Sequence, residues 1–506
     1  MTIIPANVLV SDPASEWMKF GVPMILQQDL MPCQFTAPSV VAEEANAAQL
    51  SAQDILRTKI ESRQGKIHLE ATVVDAATQK ATSVEEVEAS SAATLIPALD
   101  ALAKKLDPTA GAFSTRNTEA AKLLATAAQE RNPQNRFDLM NKAVGADPNF
   151  GMCYFLLLEM TAPLGPEKYK PILDQAKSRR AAFTPYDQVR FDLLSQQMAR
   201  APMNQRMAAA EALLKVAPND ADGLAVLSGI RFLNGDVNGA TEALNKAINL
   251  NPGNPNLKSQ LAEGLVESKR FADAEKVLAK LDRTSPVLTE LATVILLEGD
   301  VVRATQTSES LIALSKNPDY RTILEASWTA LTGDRTKAIA QAESAKFVDP
   351  RARGLALGQA AVWRLMNKDS KGAKKTADLL AQSDNHTTPI GLIVTLLANG
   401  DMPPEDWRKK VTVAPLNPVM KQSILAYGFF LNGHYSESAI EWRKALDASE
   451  GSDLRARAML AASLDRAGNA PEAQKIKVQP FLIRELADVY STVVFSEMRR
   501  LMGLSR

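Results

Sequence analysis

Three histidines and two cysteines are the side chains of this sequence best suited to hold a metal ion or to attack a substrate. His68, His386 and His434 lie far apart along the chain, as do Cys33 and Cys153, so no Cys/His cluster has the spacing of metal ligands. We expect the histidines, which fall on the outward side of a strand or in polar turns, to be solvated. We expect both cysteines to be buried or idle thiols. The sequence predicts no metal site and no disulfide framework.

Motifs for phosphate binding and acyl transfer are also missing from the sequence. No stretch fits G-x-x-x-x-G-K-[ST], or a strand followed by G-x-G-x-x-G, whose backbone N–H groups cradle phosphates. The kinase catalytic loop and the G-x-S-x-G elbow, which exposes a nucleophilic serine, do not occur either. We therefore expect a protein that is not an enzyme and that uses no cofactor.

The charge balance and hydropathy of the 506-residue chain exclude further classes of protein. Lys and Arg together number 58, as do Asp and Glu, so the basic signature of a nucleic-acid-binding protein is missing. Apolar residues make up 46% and aromatic residues 5%, which suits closely packed helices. No run approaches the roughly eighteen apolar residues of a membrane span, and the first residues do not resemble a signal peptide. We expect a cytoplasmic location for the chain as written, or a periplasmic or envelope location if its amino terminus is truncated.

Residues at predicted interhelical turns recur along most of the chain. They are spaced 30 to 35 residues apart: Gly235, Lys269, Gly299, Gly333, Lys368, Gly400, Gly433 and Gly468. Glycine readily ends a helix in the left-handed backbone conformation, and the Asp or Asn that often follows can cap the next helix. A period near 34 residues predicts a helix–turn–helix repeat.

Small residues recur in register with these turns, one in each helix of a predicted pair. In the second helix of each pair, the small residue lies five positions after the turn: Ala240, Ala274, Ala304, Ala338, Ala373, Ser438 and Ala473. In the first helix of each pair, the small residue lies twelve positions earlier in the sequence: Ser228, Ala262, Ala292, Ala326, Ala361, Ala426 and Ala461. Two antiparallel helices approach closely only where both crossing positions are small, so the pattern predicts tightly packed helix pairs.

With these features the sequence resembles the tetratricopeptide repeat family. The stretch 221–254 carries the family pattern in Leu224, Leu227, Ser228, Gly235, Ala240, Leu244, Ala247 and Pro252. The resemblance implies a mainly α fold, a right-handed α-solenoid of about eleven helix pairs over residues 116–480. Residues 481–506 are expected to form a last amphipathic helix that closes the open end of the solenoid. Pro403 and Pro404 stand where a second helix should begin, which predicts a distorted pair.

Residues 1–109 have a different pattern, which predicts a small α+β domain before the repeats. In KIHLEATVV, Ile67, Leu69, Ala71 and Val73 alternate with other residues, as in a half-buried strand. The predicted order is strand, helix, short strand, helix, three strands and helix, with a hairpin that turns at residues 63–65. The stretch PTAGAFST is expected to be a linker.

This part resembles the TolB-like amino-terminal domain that precedes tetratricopeptide repeats in many bacterial proteins. The stretches SDPASEWMKFGVPMILQQDL and GKIHLEATVVDAATQKA carry the resemblance. Leu9-Val10-Ser11 replaces the family's Leu-Pro-Phe, and Gln79 replaces its usual glycine. In relatives a protein kinase or a winged-helix DNA-binding domain often precedes this pairing, and the sequence contains neither. The resemblance implies the sensor or scaffold portion of such a system.

Stacked repeats leave a long groove, lined mainly by the first helices of the pairs. The family's groove positions fall here on Asp222, Ala225, Gly229, Phe232, Leu233, Asn256, Ser259, Glu263, Val266 and Glu267. Ala225 and Gly229 stand where chaperone-binding relatives carry the Lys and Asn that grip a C-terminal carboxylate. Recognition of chaperone tails is therefore not expected.

The sequence predicts a noncatalytic scaffold that binds a protein or peptide partner in the groove of the solenoid, with no nucleic-acid partner and no membrane span. One alternative is the sensor or regulatory portion of a bacterial signalling system. A second alternative is an enzyme with an unrecognised site in the groove. Clustered carboxylates with perturbed pKa values in the groove would favour the enzyme.

Overall fold

The computed structural model describes residues 1–10, 12, 15–33, 39–40, 53–199, 201–251, 254–381, 389–400, 402–416, 418–449 and 453–504. The chain divides into two compact units, Met1–Leu257 and Lys258–Arg506, hereafter unit 1 and unit 2. Both units are mainly helical, and unit 1 also contains a small sheet. No described helix is both long enough and apolar enough to cross a membrane.

The sheet lies at the beginning of unit 1. Its described strands are β1 (Thr2–Ile3), β2 (Asn7–Val8), β3 (Ser39–Val40), β4 (Asp54–Arg63), β5 (Lys66–Asp75) and β6 (Ala81–Ala89). The strand order is β3-β1-β4-β5-β6, and β2 also pairs with β4. The short strands pair in parallel, whereas β4, β5 and β6 form an antiparallel meander. The predicted hairpin is confirmed, because β4 and β5 are joined by Gln64 and Gly65, both with positive φ.

The predicted alternation of β5 is confirmed on one face of the sheet, where Leu69, Ala71 and Val73 are buried in the core of unit 1. The expectation that His68 is solvated is wrong, because this residue is only 5% exposed. His68 lies on the middle strand of the meander, opposite Glu61 of β4 and Glu88 of β6, and its Nε2 lies 3.5 Å from Oε2 of Glu86. The helix predicted between the short strand and the hairpin lies outside the described residues.

The helices follow one another along most of the described chain. Two flank the meander in sequence, α1 (Met18–Leu30) and α2 (Leu95–Leu106). Successive pairs in unit 1 are α3 (Thr118–Gln129) and α4 (Pro133–Ala146), α5 (Gly151–Thr161) and α6 (Pro166–Arg179), α7 (Pro185–Met198) and α8 (Met203–Val216), and α9 (Ala221–Leu233) and α10 (Val237–Leu250).

The pairs continue through unit 2 in the same way, and the first of them begins at the boundary between the units. They are α11 (Pro255–Glu267) and α12 (Phe271–Leu278), α13 (Ser285–Glu298) and α14 (Val301–Leu314), α15 (Pro318–Leu331) and α16 (Arg335–Ser344), α17 (Pro350–Met366) and α18 (Ser370–Ala381), α19 (Pro389–Ala398) and α20 (Pro404–Val413), α21 (Pro418–Leu431) and α22 (Tyr435–Ala448), and α23 (Leu454–Arg466) and α24 (Ala470–Lys475).

The turns within pairs have the predicted left-handed backbone at seven of the eight positions singled out above, the exception being Gly400. At the other seven, φ lies between 60° and 113°. Lys269 and Lys368 adopt this conformation although they carry a Cβ. The predicted capping is also present, since the carboxylates of Asp236 and Asp300 accept hydrogen bonds from backbone N–H groups of α10 and α14.

All fourteen small residues predicted at the helix crossings are buried, with at most 7% of any of them exposed. At one crossing the Ser438 hydroxyl donates a 2.9 Å hydrogen bond to the Ala426 carbonyl. Pro404 occupies the first position of α20, where its missing N–H costs no helical hydrogen bond. The pair α19 and α20 nevertheless departs from its neighbours at the turn, where Gly400 lacks the left-handed backbone, which agrees with the predicted distortion of this pair.

The stretch PTAGAFST is packed rather than exposed, so it is not the free linker expected from its sequence. Ala110 and Phe113 are buried in a hydrophobic core that includes residues from Ile3 to Phe191. The Phe113 ring packs edge-on against Phe150 of the second pair, with 5.6 Å between ring centroids. The sheet and the first helix pairs consequently share one core.

The carboxyl-terminal part of unit 2 forms a helix only at α25 (Ser491–Leu501), ten residues later than the sequence pattern indicates. Residues 477–490, hereafter the strap, form neither helix nor strand. The apolar residues that the strap buries are Phe481, Leu482, Ile483, Leu486, Ala487 and Val489. The strap is therefore held by side-chain packing rather than by its own backbone hydrogen bonds.

Candidate functional site

Six first helices of unit 2 contact the strap or lie beside it. They are α11, α13, α15, α17, α21 and α23, and the surface they present to the strap is hereafter the unit 2 face. Their side chains meet the strap at an arginine, a main-chain carbonyl, an aromatic ring and an aspartate. These contacts show how the repeats of this chain hold a polypeptide segment that is neither helix nor strand.

The arginine of the strap, Arg484, meets two carboxylates of the unit 2 face. Its guanidinium donates a hydrogen bond to Glu263 of α11, and its Nε lies 3.5 Å from Oε1 of Glu290 in α13. Glu290 is only 3% exposed, and its Oε2 has no hydrogen-bond partner among the described residues. Burial raises the pKa of Glu290 to about 7. The two glutamates form a cation site that Arg484 fills incompletely.

A main-chain carbonyl of the strap is bound by Gln359 of α17. The side-chain Nε2 of Gln359 donates to the Ala487 oxygen at 3.0 Å and to the Ser327 hydroxyl at 2.9 Å. The Ala487 side chain belongs to a core cluster that includes Ala326, Ala330, Ala356 and Ala360. Ala487 is itself only 3% exposed, so this position combines recognition of a main-chain carbonyl with burial of a small side chain.

The end of the strap is held by an aromatic ring and an ion pair. Tyr490 stacks on Tyr427 of α21, with 3.9 Å between ring centroids and 4° between ring planes. Asp488 accepts a 3.0 Å hydrogen bond from Arg455 of α23. Offset stacking and charge-assisted hydrogen bonds are both directional, so these contacts set the position of the strap.

The helix that follows the strap is fixed to the last helix pair. In α25, Glu497 accepts a 2.7 Å hydrogen bond from Arg466 of α23. Nη1 of Arg500 donates a 2.7 Å hydrogen bond to Oδ2 of Asp465, and Nε of Arg500 donates one to Glu497. The strap is thus tethered at both ends, by α24 before it and by α25 after it.

The predicted groove residues of unit 2 lie near these contacts, but only Glu263 has a contact with the strap described above. Ser259 and Glu267 are half-buried, and burial raises the pKa of Glu267 while the charge of Arg457 in α23 opposes the shift. Val266 is fully buried, so its side chain packs between helices.

The predicted groove residues of unit 1 differ in how much of their side chains solvent can reach. Asp222, Leu233 and Asn256 are exposed, whereas Ala225 and Gly229 are half-buried. Phe232, in contrast, is buried and packs within the helix layers. Among these residues, Asp222 and Leu233 of α9 and Asn256 of α11 present accessible side chains.

An arginine that sequence inspection did not single out lies beside Asp222. The guanidinium of Arg190 in α7 stacks at 3.8 Å over the ring of Phe155 in α5, and its Nη2 lies 3.8 Å from Oδ2 of Asp222. Stacking on the aromatic face holds the guanidinium in place while its edges stay available for hydrogen bonds. The surface that α5, α7 and α9 present here is hereafter the unit 1 face. The repeat period predicts which positions face the groove, but it does not predict that Arg190 contacts Phe155 and Asp222 on neighbouring helices.

A buried polar cluster connects α1 to the repeats of unit 1. The Asp187 carboxylate accepts hydrogen bonds from Gln28 (2.8 Å), Ser114 (2.5 Å) and Thr184 (2.7 Å). Burial raises the pKa of Asp187, and the hydrogen bonds from Ser114 and Thr184 oppose the shift. With its oxygens occupied and its side chain buried, this carboxylate has a structural role.

The side chains with potential for metal or thiol chemistry are dispersed or buried. Within the described residues, no group of three or more His, Cys, Asp or Glu side chains could hold a metal ion. Cys33 and Cys153 are buried free thiols, as expected, and burial raises the pKa of each to about 12. His434 is half-buried at the start of α22, and His386 lies outside the described residues. Because their pKa values are raised, neither Cys33 nor Cys153 forms an appreciable thiolate at neutral pH.

Comparison with known proteins finds one family model that matches part of the chain and solved structures that match it at low identity. Residues 231–295 match the family model of the tetratricopeptide repeat. A tetratricopeptide repeat protein from Parabacteroides merdae is 12% identical, with a TM-score of 0.33, over 46% of this chain and 96% of its own. PilF of Pseudomonas aeruginosa is 19% identical, with a TM-score of 0.27, over 40% of this chain and 90% of its own.

A structure of Naa15/Naa10 bound to HypK-THB contains a third similar chain. It is 14% identical, with a TM-score of 0.26, over 80% of this chain and 64% of its own. The search of curated proteins finds no match.

Proposed function

Since the chain carries tetratricopeptide repeats, we propose that it is a noncatalytic scaffold that binds a protein or peptide partner on the faces of its first helices. Repeats of this kind generally serve protein interaction, because stacked helix pairs present long preformed surfaces. Affinity would come from buried apolar area, and specificity from the polar side chains that line the surface.

The observation that carries the proposal is the way in which the unit 2 face holds the strap. Gln359 recognises a main-chain carbonyl, and Glu263 recognises a guanidinium, in a segment without secondary structure. A partner segment that likewise lacks helix and strand could make the same kinds of contact. First helices of this chain therefore have the chemistry that the proposal requires.

The unit 1 face is where we propose that a partner binds. It combines the half-buried ring of Phe155, the stacked guanidinium of Arg190 and the exposed carboxylate of Asp222. Leu233 adds an exposed apolar side chain at the end of α9. A mixed apolar and charged surface of this kind suits a peptide with complementary polar groups.

The test uses the intact chain, because a cut near residue 110 would open the core that the sheet shares with the first pairs. Immobilised wild-type protein is compared with Asp222→Lys, which reverses a charge on the unit 1 face. The matched control is Glu242→Lys, which makes the same kind of change at an exposed position of α10. Proteins captured from a lysate of the source cells are identified by mass spectrometry.

We expect a partner that wild type and Glu242→Lys capture equally and that Asp222→Lys captures at least five-fold less. Circular dichroism confirms that both variants fold. Equal capture by all three proteins, or capture of nothing above background, would contradict partner binding on the unit 1 face.

The resemblance of residues 1–109 to TolB-like domains is part of the same proposal. The succession of a strand, α1, a short strand and an antiparallel meander supports it. The raised pKa values of Glu290 and Glu267 on the unit 2 face are the feature that favours the enzymatic alternative, whereas no feature of the described residues favours the signalling role over the scaffold.

A further inference from the structure

The cation site under the strap is only partly satisfied. Glu290 is almost fully buried, yet Arg484 approaches only one of its oxygens, at 3.5 Å, and the Arg484 side chain remains 62% exposed. A buried carboxylate oxygen without a hydrogen bond is energetically costly. An arginine that reached both oxygens of Glu290 and also bonded Glu263 would fit the site better than the resident one does.

We propose that the unit 2 face is a second partner site, for a polypeptide segment without helix or strand that presents an arginine to Glu263 and Glu290, and that the strap is its built-in competitor. This inference rests on the proposed scaffold function and adds the chemistry of a partner and a means of regulation.

The strap itself indicates the other features of such a partner. Three residues beyond the arginine, the site accepts a small side chain and binds the main-chain carbonyl through Gln359. Three residues further, it offers the ring of Tyr427 to an aromatic side chain. A partner segment with an arginine, a small residue and an aromatic residue at this spacing can occupy all three positions.

The tethering of the strap explains why the site stays closed in the isolated chain. A segment held at both ends acts at an effective concentration on the order of millimolar, so a free segment with the same contacts competes poorly. The strap also buries six apolar side chains, which a competitor must replace with its own. A partner gains its advantage at Glu290, where the resident arginine leaves an oxygen without a hydrogen bond.

The first test measures binding of a fluorescein-labelled synthetic peptide, KVQPFLIRELADVY, to the full chain by fluorescence anisotropy. The double variant Ile483→Ala/Arg484→Ala weakens the strap at its most buried aliphatic side chain and at its cation. The matched control, Ile440→Ala/Arg443→Ala, changes the same residue types at exposed positions of α22.

We expect the strap variant to bind the peptide at least ten-fold more tightly than wild type and the control do. A peptide with alanine in place of its arginine should bind the strap variant at least five-fold more weakly. If the strap variant keeps the wild-type circular dichroism and binds the peptide no better than wild type, the proposal is overturned.

Hydrogen exchange of the wild-type chain is a second test, which does not require the strap variant to fold. With the peptide in excess at millimolar concentration, backbone amides of residues 479–486 should exchange faster, while those of α15 and α17 stay unchanged. Unchanged exchange in the strap would overturn the proposal. Neither measurement depends on Asp222, so loss of the scaffold function on the unit 1 face and loss of this second site are distinguishable.

Discussion

Gln359 Nε2 donates a 3.0 Å hydrogen bond to the main-chain oxygen of Ala487, 128 residues further along the chain. Repeats of a solenoid usually contact only their neighbours, so stability is close to a sum over repeats. In unit 2 the strap adds contacts between helix pairs that are distant in sequence. We therefore expect the strap to make the unfolding of these pairs more cooperative.

Replacement of Gln359 tests this coupling. Gln359→Ala removes two buried hydrogen bonds and leaves a cavity beside Ala487, so we expect a loss of about 2 to 3 kcal/mol in the free energy of unfolding. Gln306→Ala, at an exposed position of α14, should change it by less than about 0.5 kcal/mol. Urea unfolding followed by circular dichroism measures both, and equal effects would show that the bond to the strap contributes nothing.

A buried aspartate predicts a dependence of stability on pH. Asp29 at the end of α1 is fully buried beside Asp100, and both burial and the charge of Asp100 raise its pKa well above the ordinary value of about 3.9. Since the folded chain then holds the proton more tightly than the unfolded chain, the contribution of Asp29 is complete below about pH 4. It is lost as the pH rises from there through the raised pKa.

Asp29→Asn removes this titration while it keeps the shape of the side chain. We expect the melting temperature of Asp29→Asn, relative to wild type, to rise between pH 4 and pH 8, and to exceed that of wild type at pH 8. Asp174→Asn, exposed on α6, should show no such trend. A parallel pH dependence for wild type and Asp29→Asn would disprove the assignment.

Gly428 in α21 lies against the ring of Trp407. A Cβ built at Gly428 would lie 2.0 Å from the ring, and Trp407 is fully buried, so the ring has no room to move aside. Gly428→Ala should therefore destabilise the protein by about 1 to 3 kcal/mol through overpacking.

Gly145 provides the matched control for this substitution. It lies in α4, and a Cβ there would meet nothing within 4 Å. Gly145→Ala should stabilise the protein by up to about 1 kcal/mol, because alanine is the better helix former. Thermal unfolding of the two variants should shift in opposite directions, and shifts of the same sign would count against the close packing at Trp407.

The left-handed turn at Lys368 predicts a stabilising substitution. Its φ is 60°, a conformation that a residue with a Cβ adopts at a cost and that glycine adopts freely. Lys368→Gly should raise the free energy of unfolding by about 0.5 to 1 kcal/mol. Lys374→Gly, inside the neighbouring helix α18, should lower it by a similar amount. If both substitutions destabilise, the turn is not strained by its lysine.

Local features of the fold were predictable from the sequence because they depend on neighbouring residues. A left-handed turn needs a glycine or a tolerated substitute at one position, as at Gly235 and Gly468, and a close helix crossing needs two small residues at a constant spacing. The hairpin at Gln64 and Gly65 follows from the same kind of local constraint. These features recur in register, so the repeat could be recognised from its period.

Contacts between distant segments were decided only in the tertiary structure. The alternation of β5 placed His68 on the outward side of its strand, but in the folded sheet, with strands on both sides of β5, this side chain is buried. The helical pattern of the carboxyl terminus likewise indicated a helix from residue 481, whereas the strap, which packs against several first helices, forms no helix before residue 491.

The sequence by itself therefore determined the helix–turn–helix repeat and the register of its turns and helix crossings. Only the tertiary structure decided that Glu263 would meet Arg484 of the same chain, and that Arg190 would lie between Phe155 and Asp222. The physical reason is that repeat spacing follows from local backbone and packing rules. Which segment packs against a given helix face depends instead on the free energy of contacts between residues far apart in sequence, and the repeat period contains no information about those contacts.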